Sequence, residues 1–207
     1  PETFRAWGSP GEPNPACPVP DAPPAVGEMI FTEILVRSAG AEIGHNEEWF
    51  EMLYTGSSQA SLLGCTLVNG DDSGEDDEHV IEDPLGVTVG PGEYFVFVRS
   101  SAADTLACSL PHGYQYGTNI TFSNDAAETL TLLCPGDAGD QVIDTISFDG
   151  GFDPGIPWQL HGDWETAEGN DDPSHWCSQA DTETYTWSCT VGAETNYGTP
   201  EGPSSCP

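Results

Sequence analysis

The sequence predicts an all-β protein, a sandwich or a barrel, on three observations. Short apolar runs follow one another at regular intervals, separated by turn signals. Residues that are β-branched or aromatic dominate those runs, and Gly-Pro, Asn-Gly and Pro-Gly pairs punctuate them. No stretch places apolar residues at a helical period.

The elements follow in chain order. Residues 1–27 are dense in proline and carry little periodicity, which predicts an extended, semi-rigid arm or linker. From Met29 strands are expected at Met29–Val36, Glu48–Tyr54, Leu62–Val68, His79–Ile81, Val87–Val89 and Tyr94–Val98. After a long loop they resume at Ile120–Phe122, Glu128–Cys134, Val142–Phe148 and Trp158–Leu160. Residues 163–207 are Ser/Thr-rich and aromatic, with few aliphatics, and read as an extension closing on the sandwich, where Trp158, Trp164, Trp176 and Trp187 with Tyr185 and Tyr197 are expected first as a small core of their own and second as a contact surface. Three segments result: the arm 1–27, the sandwich 28–162 and the extension 163–207.

Composition bounds the function. The chain has 207 residues, 37% of them hydrophobic, enough for a packed core in one large or two small domains. Arg5, Arg37 and Arg99 are its only cations against 35 carboxylates, a net charge of −32 with no lysine. Such a surface repels phosphate backbones, so nucleic acid and anionic membranes are poor partners. Its self-repulsion calls for a saline or calcium-containing exterior. No run is long enough for a membrane-spanning helix, and the opening Pro1-Glu2 reads as a processed or excised secreted product.

Seven cysteines without CxxC or Cys/His zinc spacing predict disulfides and an oxidising compartment. Cys177 and Cys189 would staple a hairpin around Thr184-Tyr185-Thr186-Trp187; Cys177 with Cys206 would instead tie down the closing tail. Cys108 could bridge to Cys134, or Cys65 could take either one. The odd thiol falls to Cys17, or to a buried Cys65.

Two phrases nearly repeat across the chain: Gly8-Ser9-Pro10-Gly11-Glu12-Pro13-Asn14-Pro15-Ala16-Cys17-Pro18 and Gly198-Thr199-Pro200-Glu201-Gly202-Pro203-Ser204-Ser205-Cys206-Pro207, each after an aromatic residue, Trp7 or Tyr197. Self-similarity at a distance marks serial architecture, with residues 1–18 as the tail of a preceding unit. The competing explanation is ordinary Pro/Gly-rich linker chemistry.

Several pieces, in this order, resemble the lamin tail domain. Ile30 to Leu35, with Glu33, matches the family's "NE" strand; Glu48-Trp49-Phe50-Glu51 its "WIEL" strand; Leu62-Leu63-Gly64-Cys65-Thr66-Leu67 its "LSGWTL". Val89-Gly90-Pro91-Gly92-Glu93-Tyr94 follows as "IPAGGY", Phe122–Leu132 as "LSNSGETLTL", Val142–Ile146 as "VVDSV" and Gly198-Thr199-Pro200 as the closing "PTPG". The resemblance covers about residues 27–162 and the last ten. Cys65 stands where the family often has Trp, Thr32 where it has Asn, and 163–197 is longer than usual. The Trp176-Cys177 pair is similar to versions from gram-negative bacteria. The resemblance implies an immunoglobulin-like β-sandwich, extracellular or on a bacterial cell surface, and implies no activity.

Little points to catalysis. His45, His79, His112, His161 and His175 lie in no GxSxG, HExxH or phosphate-loop context and read as ordinary loop or strand-end residues. Glu33 and Glu51 fall in neighbouring apolar strands, where an ionised carboxylate is costly unless hydrogen-bonded. They are expected to anchor backbone amides or loop hydroxyls rather than act as a glycosidase-like pair. Asp71, Asp72, Glu75, Asp76 and Asp77, around Gly74, could converge on calcium, but the run departs from the EF-hand pattern and reads first as a solvated acidic hairpin. The weaker cluster Glu168-Gly169-Asn170-Asp171-Asp172 reads likewise. Asn119-Ile120-Thr121 fits a glycosylation acceptor where the source glycosylates asparagine.

The expected function is a non-enzymatic extracellular structural module forming a filament or tandem array with copies of itself. The arm would reach the next unit, adding to a sheet edge or docking on the aromatic extension, with contacts at Trp7, Trp164, Trp176 and Trp187 and a covalent lock at Cys17. The alternatives are a calcium-dependent adhesion or carbohydrate-binding module that takes surface glycans through the acidic loop and the tryptophans, and an accessory domain of a secreted hydrolase. No cofactor is expected beyond calcium.

Overall fold

The computed structural model describes residues 21–39, 48–71, 76–83, 86–99, 110–178, 185–191 and 194–206. The fold is all-β, with no α-helix among the described residues. In chain order the strands are β1 Met29–Leu35, β2 Trp49–Tyr54, β3 Ala60–Ser61, β4 Thr66–Asp71, β5 Asp76–Val80, β6 Thr88–Val89 and β7 Tyr94–Val98. They continue as β8 Tyr114–Gln115, β9 Glu128–Cys134, β10 Gln141–Phe148, β11 Trp158–Leu160, β12 Trp176–Ser178, β13 Trp187–Val191 and β14 Glu194–Gly198.

Two sheets form a β-sandwich: a six-stranded sheet in the order β12-β11-β1-β2-β7-β8 and a four-stranded sheet in the order β10-β9-β4-β5. All their pairings are antiparallel except β7 with β8. The core combines Phe31, Ile34, Phe50, Met52, Phe95 and Phe97 from the first sheet with Leu67, Leu130, Leu132, Ile146 and Phe148 from the second. Strand β9 buries alternate residues, as expected of a sheet with one wet face. On that wet face hydroxyls pair across strands, Thr129 with Ser147 and Thr131 with Thr145, each at 2.9 Å.

Strands β1 and β2 do not alternate; every residue in them is buried. Their second face carries another apolar cluster, Leu35, Trp49, Val96, Val98 and Leu110, against which Trp187 of β13 packs. The C-terminal hairpin β13–β14 is thus a third layer over the outside of the six-stranded sheet. Asn196 fixes it: its Oδ1 accepts the Ala39 amide at 2.6 Å and its Nδ2 donates to the Ala39 carbonyl at 3.3 Å.

The structure corrects several expected elements. The run Leu62–Val68 is not one strand: Gly64, at φ +81, makes a turn inside it, and Leu62 and Cys65 are buried by bonding to Val87 and Ile81 rather than to a ladder. Ile120–Phe122 is not a strand either; its buried side chains belong to a loop. Strands β3, β8, β12, β13 and β14 went unpredicted because they are short or rich in Thr and Ser, and so show no apolar alternation.

The disulfides also decide between open pairings. Cys65 bonds Cys134, joining the entry of β4 to the end of β9, so Cys65 is neither free nor partnered with Cys108. Cys177 bonds Cys206, so no Cys177–Cys189 staple forms; Cys189 is itself disulfide-bonded. Cys17 and Cys108 lie outside the described residues. Of the segment 1–27, residues 21–27 rest on their own sandwich: the Ser61 amide donates to the Ala22 carbonyl at 2.9 Å and the Gly27 amide to that of Ile143 at 2.8 Å. Residues 1–20, with Trp7, lie outside the described residues.

The Cys65–Cys134 bond closes a loop with a sequence separation of 69. Restricting the unfolded chain over such a span stabilises a fold by about 2–5 kcal/mol. The double variant Cys65→Ala/Cys134→Ala should lose stability of that order in urea unfolding while keeping the far-ultraviolet spectrum of the parent.

Candidate functional site

The most organised polar constellation sits on the outer face of the six-stranded sheet. Phe31 and Ile34 both point into the core although three residues apart, which strict alternation forbids. The register shift between Phe31 and Glu33 explains it: Thr32 is the extra residue of a β-bulge. The bulge turns Glu33 to the outer face, directly opposite Glu51 on β2. Thr32 Oγ1 then donates to Glu51 Oε1 at 2.9 Å.

The closing segment after β14 covers this pair. The Thr199 amide donates to Glu33 Oε1 and Oε2 at 3.1 and 3.2 Å, and its hydroxyl to Oε2 at 2.7 Å. The Glu201 amide donates to Glu51 Oε2 at 2.6 Å. Gln159, fully buried on β11, donates through Nε2 to Glu33 Oε1 at 2.8 Å and to Thr199 Oγ1 at 2.7 Å, while its Oε1 accepts from Ser205 at 2.8 Å. The Cys177–Cys206 disulfide then pins the tail to β12. Gly198 lets the tail approach: a Cβ there would overlap the Trp49 ring at Cζ2 and Cη2.

Glu33 and Glu51 are each 1% exposed, so no substrate reaches them in this closed state. Burial pushes the Glu33 carboxyl up to about 7, against the lowering effect of the Thr199 hydroxyl, the Thr199 amide and Gln159. Glu51 is pushed up to about 9 by burial and then by the charge of Glu33, with Thr32 and the amides of Glu201 and Gly202 opposing. Two carboxylates facing each other in a dry site favour keeping a proton at neutral pH. The pair is chemically a latch: acceptors in fixed register that hold the backbone of a peptide.

Other buried carboxylates repeat the device. Asp144 Oδ2 accepts the Phe31 amide at 2.9 Å and Asn170 Nδ2 at 2.6 Å, and burial raises its pKa to about 7. Glu48 takes Arg99 through Oε1 at 2.7 Å and the Phe122 amide through Oε2 at 3.4 Å. Glu128 accepts Asn69 Nδ2 at 3.1 Å and the Ser123 amide at 2.9 Å. Gln159 and Asp144 were missed from the sequence, although a polar residue inside an apolar strand, the signal that singled out Glu33 and Glu51, marks both.

The remaining sequence candidates are dispersed. Asp71 closes β4 and Asp76 opens β5, the strand paired antiparallel to it; Asp72 and Glu75 lie outside the described residues. Asp76 and Asp77 are exposed, and Asp77 accepts the Thr121 amide at 3.1 Å. Among the described residues no group of three or more His, Cys, Asp or Glu is placed to hold a metal ion. Trp176 is buried, stacked on Trp158 at 4.4 Å, and donates from Nε1 to the Asn170 carbonyl at 2.8 Å. Trp187 packs edge-on to Trp49 at 6.2 Å. Trp164 is 46% exposed and stacks on His175 at 3.8 Å. An open groove of about 550 Å³ lies across one end of the four-stranded sheet, where β4, β9 and β10 end, between Phe148, Phe152, Trp158 and Pro173, with Asp149 beside them.

No protein-family model matches the chain, and comparison with curated proteins finds no match. Among the described residues no helix is long and apolar enough to cross a membrane.

Two outcomes follow from the latch. A carboxyl whose folded pKa lies above its unfolded one binds more protons when folded, so stability is greatest below the unfolded value, near 4.5, and declines as pH rises toward about 7 and then 9. Melting temperatures measured from pH 4.5 to 9 should therefore fall with pH, and Glu51→Gln should flatten the slope. Gly198→Ala should cost about 1–3 kcal/mol, because the methyl group meets the Trp49 ring and overpacking is penalised; differential scanning calorimetry at pH 6 reads it.

Proposed function

We propose that the chain is a non-enzymatic extracellular structural module, which joins copies of itself into a filament or tandem array through residues 1–20. What carries this reading is the use of the polar groups: the carboxylates best suited to acid-base chemistry are sealed under the chain's own tail, holding backbone amides. Disulfides at Cys65–Cys134 and Cys177–Cys206 suit an oxidising exterior. The net charge of −32 keeps neighbouring units apart laterally, so that association has to be directed by a specific segment. The order of its motifs supports placing the module with lamin tail domains on a bacterial surface.

Residues 21–27 rest on their own sandwich, so the reach to a neighbour belongs to residues 1–20, and Trp164, the exposed tryptophan among the described residues, is the contact that the extension offers. A carbohydrate-binding role is the second reading, favoured by the groove at Phe148, Phe152 and Trp158, where aromatic faces and Asp149 suit a sugar ring.

Non-reducing gels and negative-stain microscopy of the full chain beside one lacking residues 1–20 test the assembly. Strings that depend on residues 1–20 and on Cys17 are expected; a full chain that stays monomeric at high concentration overturns it. Calorimetric titration with calcium or with soluble oligosaccharides should give no saturable heat, whereas a saturable signal moves the assignment to the adhesion or carbohydrate-binding reading.

A further inference from the structure

Resting on the serial reading above, we infer that residues 7–18 are a second closing tail, whose socket is the Glu33/Glu51 latch of another unit of this fold and whose Cys17 takes the place of Cys206 opposite a Cys177. The interactions of residues 197–206 state what that socket demands, and the segment Trp7–Pro13 can be laid on Tyr197–Pro203 without a gap.

Three demands are met in register, with a shared proline among them. The position beside Trp49 has no room for a Cβ, and it is Gly198 in one copy and Gly8 in the other. The next residue must donate a hydroxyl to the first carboxylate, as Thr199 does at 2.7 Å, and Ser9 carries a hydroxyl. A proline follows in both, Pro200 and Pro10. Then comes a residue whose amide reaches the second carboxylate with the backbone at positive φ: Glu201, at φ 62, is the non-glycine in that region among the described residues, and Gly11 stands in its place. Glycine adopts that conformation without the steric cost that Glu201 bears. A Pro/Gly-rich linker has no reason to put its glycines at the two positions where the socket excludes a side chain and demands a left-handed turn.

Beyond Pro13 the first copy has one more residue before its cysteine than the second, and no hydroxyl where Ser205 bonds Gln159. The run of Asn14, Pro15 and Ala16 bridges to Cys17, which is followed by Pro18 as Cys206 is by Pro207. Serial linkage then needs no sheet-edge addition: a unit whose own tail does not hold its socket would be closed by one delivered from the chain of the next, through a contact made of buried carboxylate to backbone amide bonds and locked by a disulfide between two cysteine thiols, with a thiol–disulfide buffer as the oxidant.

The test is a transplant in the full chain. Replacing residues 197–207 by a second copy of residues 7–18 should give a folded protein in which peptide mapping finds the transplanted cysteine bonded to Cys177, melting within a few degrees of the parent. Gly8→Ala in the transplanted copy should lower the melting temperature as Gly198→Ala does in the parent. A transplant that leaves Cys177 unbridged, or that melts no higher than a chain with residues 197–207 scrambled, overturns the inference. In trans, the Cys206→Ser chain in a glutathione buffer should capture a synthetic peptide of residues 7–18 at Cys177, roughly tenfold better than its Gly8→Ala form; capture of a 197–207 peptide but not of 7–18 rejects it. Because the transplant acts within one molecule, it can succeed where assembly on gels fails, so the two readings fail separately.

Discussion

Everything on the outer face of the six-stranded sheet depends on one constraint: two carboxylates, placed opposite each other by the bulge at Thr32, must find hydrogen bonds away from water. An ionised group in that position is costly by several kcal/mol unless its lone pairs are satisfied. Among the described residues neither Glu33 nor Glu51 finds a cation. They find the amides and hydroxyl of residues 199–202 and the amide group of Gln159. The tail is therefore part of the fold's polar accounting. Remove it and the two acids face solvent, the hairpin β13–β14 loses its continuation, and the apolar cluster around Trp49 loses its lid beside Gly198.

The same logic extends through a chain with 35 carboxylates and three cations. An ordinary domain pairs its buried acids with arginine or lysine; here Arg99 alone serves that purpose among the described residues, against Glu48. The other interior acids hold backbone N–H groups that no strand satisfies. Asp144 caps the Phe31 amide where β1 runs past the end of β11, and Glu128 holds the Ser123 amide in the loop that the sequence suggested as a strand. Backbone amides are neutral donors in fixed positions, so they discharge less of the burial penalty than a cation does. The raised pKa values of Glu33, Glu51 and Asp144 are the consequence, and they tie the fold's stability to protons that are lost as pH rises through about 7 and then about 9.

How far this was legible depends on which force set each element. Strands β9 and β11 were predicted with the bounds observed, because apolar residues against a core fix both register and ends. Glu33 and Glu51 stood out as acids among aliphatics. The bulge did not: nothing in Met29-Ile30-Phe31-Thr32-Glu33 marks Thr32 as an extra residue, since the partner strand decides it. Strands β13 and β14 were invisible because Ser188, Thr190 and Thr195 lie at the surface, while Asn196 is held by polar contacts to a distant residue, Ala39. The pairings of Cys65 with Cys134 and Cys177 with Cys206 are set by strand adjacency, which spacing along the chain does not encode.

The proposed exchange between units would draw on how this socket is built. Its acceptors come from β1, β2 and β11, elements held in register by their pairing with one another. The peptide it receives is short, and its specificity resides in two backbone positions and a hydroxyl, so little beyond those features is needed to compete. What favours the resident tail is tethering: residue 199 follows directly on β14, and a tethered segment faces its site at an effective concentration far above that of a separate chain. The Cys177–Cys206 bond then makes the choice slow to reverse. On the proposed linkage, a tail from elsewhere would succeed only by arriving before the resident one is oxidised, or where the resident one is missing. The order of folding and oxidation, more than the affinity of either peptide, would then decide which tail closes a given unit.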